Sequence, residues 1–283
     1  MGVKEILEFV KIEHTLFSLP FVFIGALIAG DPTVLQLVWI LVAAVGARGL
    51  AMGLNRIIDR DIDAQNPRTA GRHLAAGTMS MNTAGILCLV FLAMLLVGAW
   101  NLNPICLYLS PIPVAAFVVY PYLKRKTVLC HLWLGLCLGL APAGAWLGIV
   151  GGDLGWEAIT DRHWHPTLFW IAFGVLCWIA SFDLNYALMD MENDRASGIH
   201  SFPARFGAPA TRTASILLTL VAANGFLFAD PVSGFTFIGA VTLATLVNLL
   251  VVYFQDHLPD FQRTLFQTHA ATGWVLLAGL VLA

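Results

Sequence analysis

The chain has 283 residues, of which 59% are hydrophobic and only 11% charged, with a mean hydropathy of +0.80. A soluble globular domain carries roughly 25% charged residues, so this composition excludes an ordinary soluble enzyme. A formal net charge of −2 and a pI near 6.4 leave no basic stripe of the kind that binds phosphate backbones, which argues against nucleic acid as a partner.

The first stretch, Met1–Glu13, mixes Lys4 and Lys11 with Glu5, Glu8 and Glu13. It reads as an amphipathic helix lying on a membrane surface rather than a cleaved leader. Nine apolar segments follow, near 14–30, 34–54, 81–100, 104–123, 127–149, 166–188, 213–229, 233–254 and 264–283. His73–Leu123 contains no Asp, Glu, Lys or Arg over 51 residues, and Thr127–Gly152 none over 26. A spanning helix needs about 20 apolar residues, so the expectation is an all-α, polytopic membrane protein with nine transmembrane helices. Pro20 in the first segment is tolerable where neighbouring helices satisfy the freed carbonyl.

Some residues read as structural. Cys88, Cys106, Cys130, Cys137 and Cys177 are odd in number, lack metal-ligand spacing and read as small core hydrophobes. Gly135/Gly139 and Gly144/Gly148 are small-residue pairs at helical spacing, which favour close helix packing. His163 and His165 read as an interfacial cluster on the outer side, and His131 and His269 as core residues without an assigned role.

With the N-terminus inside, 14 of the 15 Lys and Arg fall on or near the cytoplasmic side, Arg162 being the exception. The positive-inside rule then predicts an N-in, C-out topology. The outward connections are short or acidic and carry little reactive chemistry, so function is expected at the cytoplasmic face of the cell's inner membrane.

The connection after the second segment places Asn55, Asp59 and Asp63 four residues apart, in one row of a helix leaving the membrane. After the sixth segment Tyr186, Asp190 and Asp194 repeat the row, with Asp183 one turn earlier. Four carboxylates gathered beside lipid recruit cations or change protonation. Mg²⁺ suits them, because it takes oxygen ligands and bridges carboxylates to phosphate oxygens. Arg68 and Arg72 follow the first row, Lys124, Arg125 and Lys126 end the fourth segment, and Arg195, Arg205 and Arg212 follow the second row. Such cations hold a diphosphate and stabilise its departure. Arg48, two turns before Asn55 in an otherwise apolar segment, is an intramembrane charge and therefore a functional candidate, suited to the carboxylate of an aromatic acid.

These blocks resemble the UbiA superfamily of intramembrane aromatic prenyltransferases. The resemblance is carried by Asn55-x3-Asp59-x3-Asp63, Asn66-Pro67-Arg68-Thr69-x2-Arg72, Tyr120-Pro121-x2-Lys124-Arg125 and Phe182-Asp183-x2-Tyr186-Ala187-x2-Asp190-x3-Asp194. It implies one domain over 1–283, a nine-helix bundle around a central cavity, and Mg²⁺ held by Asp59, Asp63, Asp190 and Asp194 as metal ligands and catalytic residues. The substrate-binding set it implies, with Arg48 from the reading above, is Arg48, Asn55, Arg68, Arg72, Lys124, Asp183 and Tyr186. The donor is a polyprenyl diphosphate with its tail toward membrane lipid, and the acceptor a hydroxylated aromatic acid, 4-hydroxybenzoate or dihydroxynaphthoate, as in ubiquinone or menaquinone synthesis. His73, Cys130-His131 and His200 depart from common family residues. Lys11-Ile-Glu-His-Thr15 and Gly198–Gly207 are similar to the 4-hydroxybenzoate polyprenyltransferase-like branch. The competing reading is a cation-coupled secondary transporter built on a duplicated bundle. A CDP-alcohol phosphotransferase also uses Asp-x3-Asp, but its Asp-Gly-x2-Ala-Arg lead-in is absent.

Overall fold

Apolar runs this long satisfy their backbone only by coiling on themselves, and among the described residues every regular element is helical. The structure, a computed structural model, describes residues 2–283. Met1 and the side chains of Val3, Ile12, Glu13 and His14 lie outside the described residues, and with them part of the amphipathic leading stretch and of the Lys11–Thr15 wording. The helices are α1 (Val3–Phe9), α2 (Ile12–Ile28), α3 (Val34–Ile58), α4 (Arg60–Gln65), α5 (Met81–Leu102), α6 (Pro104–Leu109), α7 (Pro111–Leu123) and α8 (Cys130–Leu154). They continue as α9 (Glu157–Thr160), α10 (Thr167–Ala187), α11 (Met191–Ala196), α12 (Phe202–Ala229), α13 (Phe235–Tyr253) and α14 (Phe261–Val281).

Among the described residues seven stretches are long and apolar enough to cross a membrane: Val34–Ile58, Met81–Leu102, Pro104–Leu123, Cys130–Leu154, Thr167–Ala196, Phe202–Ala229 and Phe235–Tyr253. The sequence predicts nine. The apolar part of α2 is only Thr15–Ile28, and α14 opens with Gln262, Arg263, Gln267 and His269, which dilute its apolar character.

Local chemistry sets the ends and breaks. A reciprocal cap opens α3, with Thr33 Oγ1 accepting from the Gln36 N–H and Gln36 Oε1 from the Thr33 N–H. The single expected segment 104–123 splits into α6 and α7 because Pro111 and Pro113 cannot supply the N–H groups of a continuous helix. Gly207, at φ 80°, interrupts α12 near its start. A residue with a side chain is strained there, and the break lets Phe202 turn back onto the start of α8.

The bundle packs α3 on α5, α10 between α8 and α12, α13 on α14, and α2 against α8 and α14. A Cβ at Gly135 would stand 2.2 Å from the Leu176 carbonyl oxygen of α10, so this contact exists only because a hydrogen stands there, as the small-residue spacing predicts. Gly144 differs, since a Cβ there would meet nothing within 4 Å. All five cysteines are free, four of them buried and Cys106 half-buried. An aromatic cluster fills the centre of the second half: Phe17 stacks on Trp178 at 4.9 Å, and Phe182 lies 5.1 Å from the His269 ring.

Candidate active site

Carboxylates in an apolar bundle stay charged only beside compensating cations, and this end of the molecule is built from such pairs. α3 ends at Asp59, where the backbone leaves helical geometry (φ −95°, ψ 6°), and α4 begins at Arg60. The row is thus not one continuous helix, although Asp63 N–H still donates to the Asp59 carbonyl at 2.8 Å and preserves the four-residue spacing. Asp59 is fully buried. Its Oδ2 accepts from Asn55 Nδ2 at 2.8 Å and pairs with Lys124 Nζ, while Arg125 Nη2 lies 3.3 Å from Oδ1. Arg125 also donates to the Ile58 carbonyl at 2.6 Å. Buried Asp63 accepts from Arg72 Nη1 at 2.7 and 2.8 Å, with Arg56 Nη1 at 3.9 Å.

The second row bends in the same way, α10 passing through a tight turn at Leu188–Asp190 into α11. The segment that follows the first row meets the second row here. Asn66 Nδ2 and Arg68 Nε, just beyond the first row, both donate to Asp190 Oδ1 at 2.8 Å, and Arg68 Nη2 pairs with Oδ2. Burial disfavours the charge on Arg68, but Asp190 more than offsets it and raises the guanidinium above its ordinary value. Asp194 lies near Ser201 and within charge–charge reach of Asp190, Lys124 and His131. The His200 N–H donates to the Lys124 carbonyl at 2.8 Å, which fastens the segment after the second row to the basic cluster.

Among the described residues no group of three or more His, Cys, Asp or Glu stands close enough to share a metal, and Asp59, Asp63 and Asp190 each turn toward a basic partner. As a donor set, four carboxylates and an amide oxygen are hard oxygen ligands and fit Mg²⁺. Lys124, Arg125, Arg56, Arg72 and Arg68 outnumber the four carboxylates, so the cluster has positive charge to spare for a polyanion.

Behind this rim opens a cavity of about 510 Å³ bordered by Arg48, Asn55, Tyr120, Asp183 and Tyr186 at its polar end and by Ala, Leu and Trp side chains below. Arg48 borders this space, and its Nε is buried with no hydrogen-bond partner among the described residues. Asp183 Oδ2 lies 2.7 Å from His131 Nδ1, while His131 Nε2 accepts from the Phe202 N–H at 3.1 Å. The Phe202 contact requires a lone pair on Nε2, which places the ring proton on Nδ1, toward Asp183. Gln262 Nε2 donates to the Tyr186 hydroxyl at 2.8 Å, and Arg68 lies over the Tyr186 ring at 5.6 Å.

Every residue of the sequence-derived set therefore lies at this rim or in the cavity. Arg56, His131 and Asn66 join it without having been singled out as binding residues. Arg56 stands seven residues before Asp63, a two-turn helical spacing and so a usable signal; His131 is 52 residues from Asp183 and gave none. Arg212 pairs instead with exposed Asp256 at 2.6 Å, and Arg195 Nε donates to the Ala204 carbonyl.

The model of the UbiA prenyltransferase family matches residues 18–281. A 4-hydroxybenzoate solanesyltransferase from Synechocystis sp. is 29% identical over 262 residues, 89% of this chain and 84% of that protein. The apo structure of a UbiA homolog from Aeropyrum pernix K1 superimposes with a TM-score of 0.86 at 31% identity, covering 96% of this chain and 98% of that one. A UbiA homolog from Archaeoglobus fulgidus bound to GPP and Mg2+ shares the fold at a TM-score of 0.70 and 18% identity, over 97% and 99% of the two chains. The rows of acids, the cations between them and the cavity behind thus stand on a bundle shared along nearly its full length, and the chain belongs to the UbiA prenyltransferase family.

Proposed function

We propose that this protein transfers a polyprenyl group from a polyprenyl diphosphate to a ring carbon of a hydroxylated aromatic acid, 4-hydroxybenzoate or dihydroxynaphthoate, in quinone synthesis. One observation carries the reading: a surplus of cations among paired carboxylates opens directly onto an apolar cavity that contains a single arginine with an unpartnered nitrogen. A diphosphate fits the first, a prenyl tail the second, and an aromatic carboxylate the third. The names of the similar proteins, a 4-hydroxybenzoate solanesyltransferase and a homolog bound to GPP and Mg2+, support the same assignment.

Asp59, Asp63, Asp190 and Asp194 would hold Mg²⁺, which when bound neutralises diphosphate oxygens and eases their departure. Arg68, Arg72 and Lys124 are positioned to turn from their carboxylates to the diphosphate, adding charge stabilisation as the allylic C–O bond breaks and the leaving group takes the bonding pair. Phe182 and Tyr186, with ring centroids 5.4 Å apart, give the allylic cation an aromatic wall worth about 0.5–2 kcal/mol. Arg48 and Asn55 orient the acceptor, whose ring carbon forms the new C–C bond. Asp183, steadied by His131, lies where the ring proton or the phenol is received.

The whole chain, 1–283, is read as one such domain, with α2 and α14 joining the seven long stretches to make nine spans. The positive-inside distribution supports the inner membrane with the acidic rows at the cytoplasmic face. Paired acids at one end of the bundle, rather than free acids near its middle, weigh against a cation-coupled transporter.

Purified protein incubated with Mg²⁺, a prenyl diphosphate series and each acid should yield prenylated acid by mass spectrometry. Asp63→Ala and Asp190→Ala should each abolish Mg²⁺-dependent product while leaving the protein monodisperse in detergent. Unchanged turnover in both variants would refute the metal assignment, and solute flux in proteoliposomes without product would favour the transporter.

A further inference from the structure

Most glycines on the long helices are pressed against a neighbour. At Gly148, one turn past Gly144 on α8, a Cβ would already stand 3.1 Å from Leu102. Gly144 borders the cavity, and beyond its missing side chain lies open space. α3 contributes Ala43, Ala44 and Ala47 to the lining of the same cavity, so small side chains from two helices border it. α8 starts beside the polar rim, where His131 meets Asp183. At 1.5 Å rise per residue, Gly144 lies about 20 Å deeper along the helix. An isoprene unit adds four chain bonds of about 1.5 Å, or about 5 Å when extended.

We propose that Gly144 is a specificity-determining residue for donor length: the prenyl tail runs down the cavity from the diphosphate rim, and its fourth unit and those beyond pass over Gly144 toward Trp146 and Leu147. The missing side chain at this position keeps the path open for long donors. A geranyl group, reaching about 10 Å, ends short of it. The inference rests on the prenyltransferase reading and deepens it by naming the residue that admits donors longer than three isoprene units.

The test compares wild type, Gly144→Leu, Gly144→Phe and the outward-facing control Gly239→Leu, whose Cβ also meets nothing within 4 Å but which does not border the cavity. Each full-length protein is assayed with Mg²⁺ and each of 4-hydroxybenzoate and dihydroxynaphthoate against geranyl and solanesyl diphosphate. In both Gly144 variants the solanesyl-to-geranyl ratio of kcat/KM should fall by about tenfold or more, more steeply for Phe, with Gly239→Leu matching wild type. Retained geranyl transfer shows that the variants fold. An unchanged ratio, whether both rates persist or both fall together, overturns the proposal, because the tail then leaves the bundle before reaching Gly144. Absence of any prenyl transfer by wild type refutes the underlying reading instead, which keeps the two failures apart.

Discussion

Arg48 is the residue whose environment asks most for a ligand. Its Nε is buried without a partner, and burying an unsatisfied charged donor is unfavourable unless something else completes it. A carboxylate would. Hydrogen bonds to charged groups are worth about 1.5–3 kcal/mol, so Arg48→Leu should raise the KM for the aromatic acid roughly ten- to hundredfold and leave the KM for prenyl diphosphate near wild type. Steady-state kinetics against each substrate decide it; equal effects on both would move Arg48 out of the acceptor site. His131 acts one step removed, as a positioning residue. With Nε2 occupied by the Phe202 N–H, its remaining proton fixes Asp183, so His131→Ala should lower kcat by about tenfold. His131→Gln, which keeps a donor, should restore most of it. A purely structural role would show as equal loss of thermal stability in both variants without that rescue. Asn55, Asp59, Asp63, Asp190 and Asp194 were legible because the chemistry repeats every four residues. His131 was not, since its partners come from α10 and α12 and only the tertiary fold brings the three together.

The long segments were legible as elements because lipid permits few alternatives to an apolar helix. Their interruptions were less so. Asp59 and Asp190 read as members of unbroken helical rows, yet both sit where the helix stops and restarts. A carboxylate that must meet cations from a distant loop rewards a local bend more than an uninterrupted ladder. The proline pair at 111 and 113 did carry a signal for the break between α6 and α7. Helix contacts were half legible: Gly135 and Gly144 share the same small-residue spacing, but one meets a backbone carbonyl and the other a cavity. Spacing alone does not say what faces a glycine. At Gly135 the contact is backbone on backbone and has no flexible side chain to yield. Gly135→Leu should therefore push α8 from α10 and cost about 1–3 kcal/mol, visible as a lower thermal unfolding midpoint in detergent. Gly152→Leu, at open space on the same helix, should change it little.

For the molecule as a whole, the charge distribution and the site make the same demand. The cations that hold Asp59, Asp63 and Asp190 come from the ends of α3 and α7 and from the segment after α4, all at one end of the bundle, and they belong to the population that sets topology under the positive-inside rule. Asp161, before α10, lies at the far end, where the connections carry little positive charge. Inserting the bundle the other way would carry the whole basic cluster across the membrane. The orientation can be read directly, because four native cysteines are buried and Cys106→Ser removes the half-buried fifth. In that background Asp161→Cys should react with a membrane-impermeant thiol reagent in intact cells. Ser197→Cys, exposed just beyond the second acidic row, should react only after the membrane is opened. The reverse pattern would put the acidic rows outside, away from any cytoplasmic supply of prenyl diphosphate and Mg²⁺, and would overturn both the topology and the compartment assigned to the reaction.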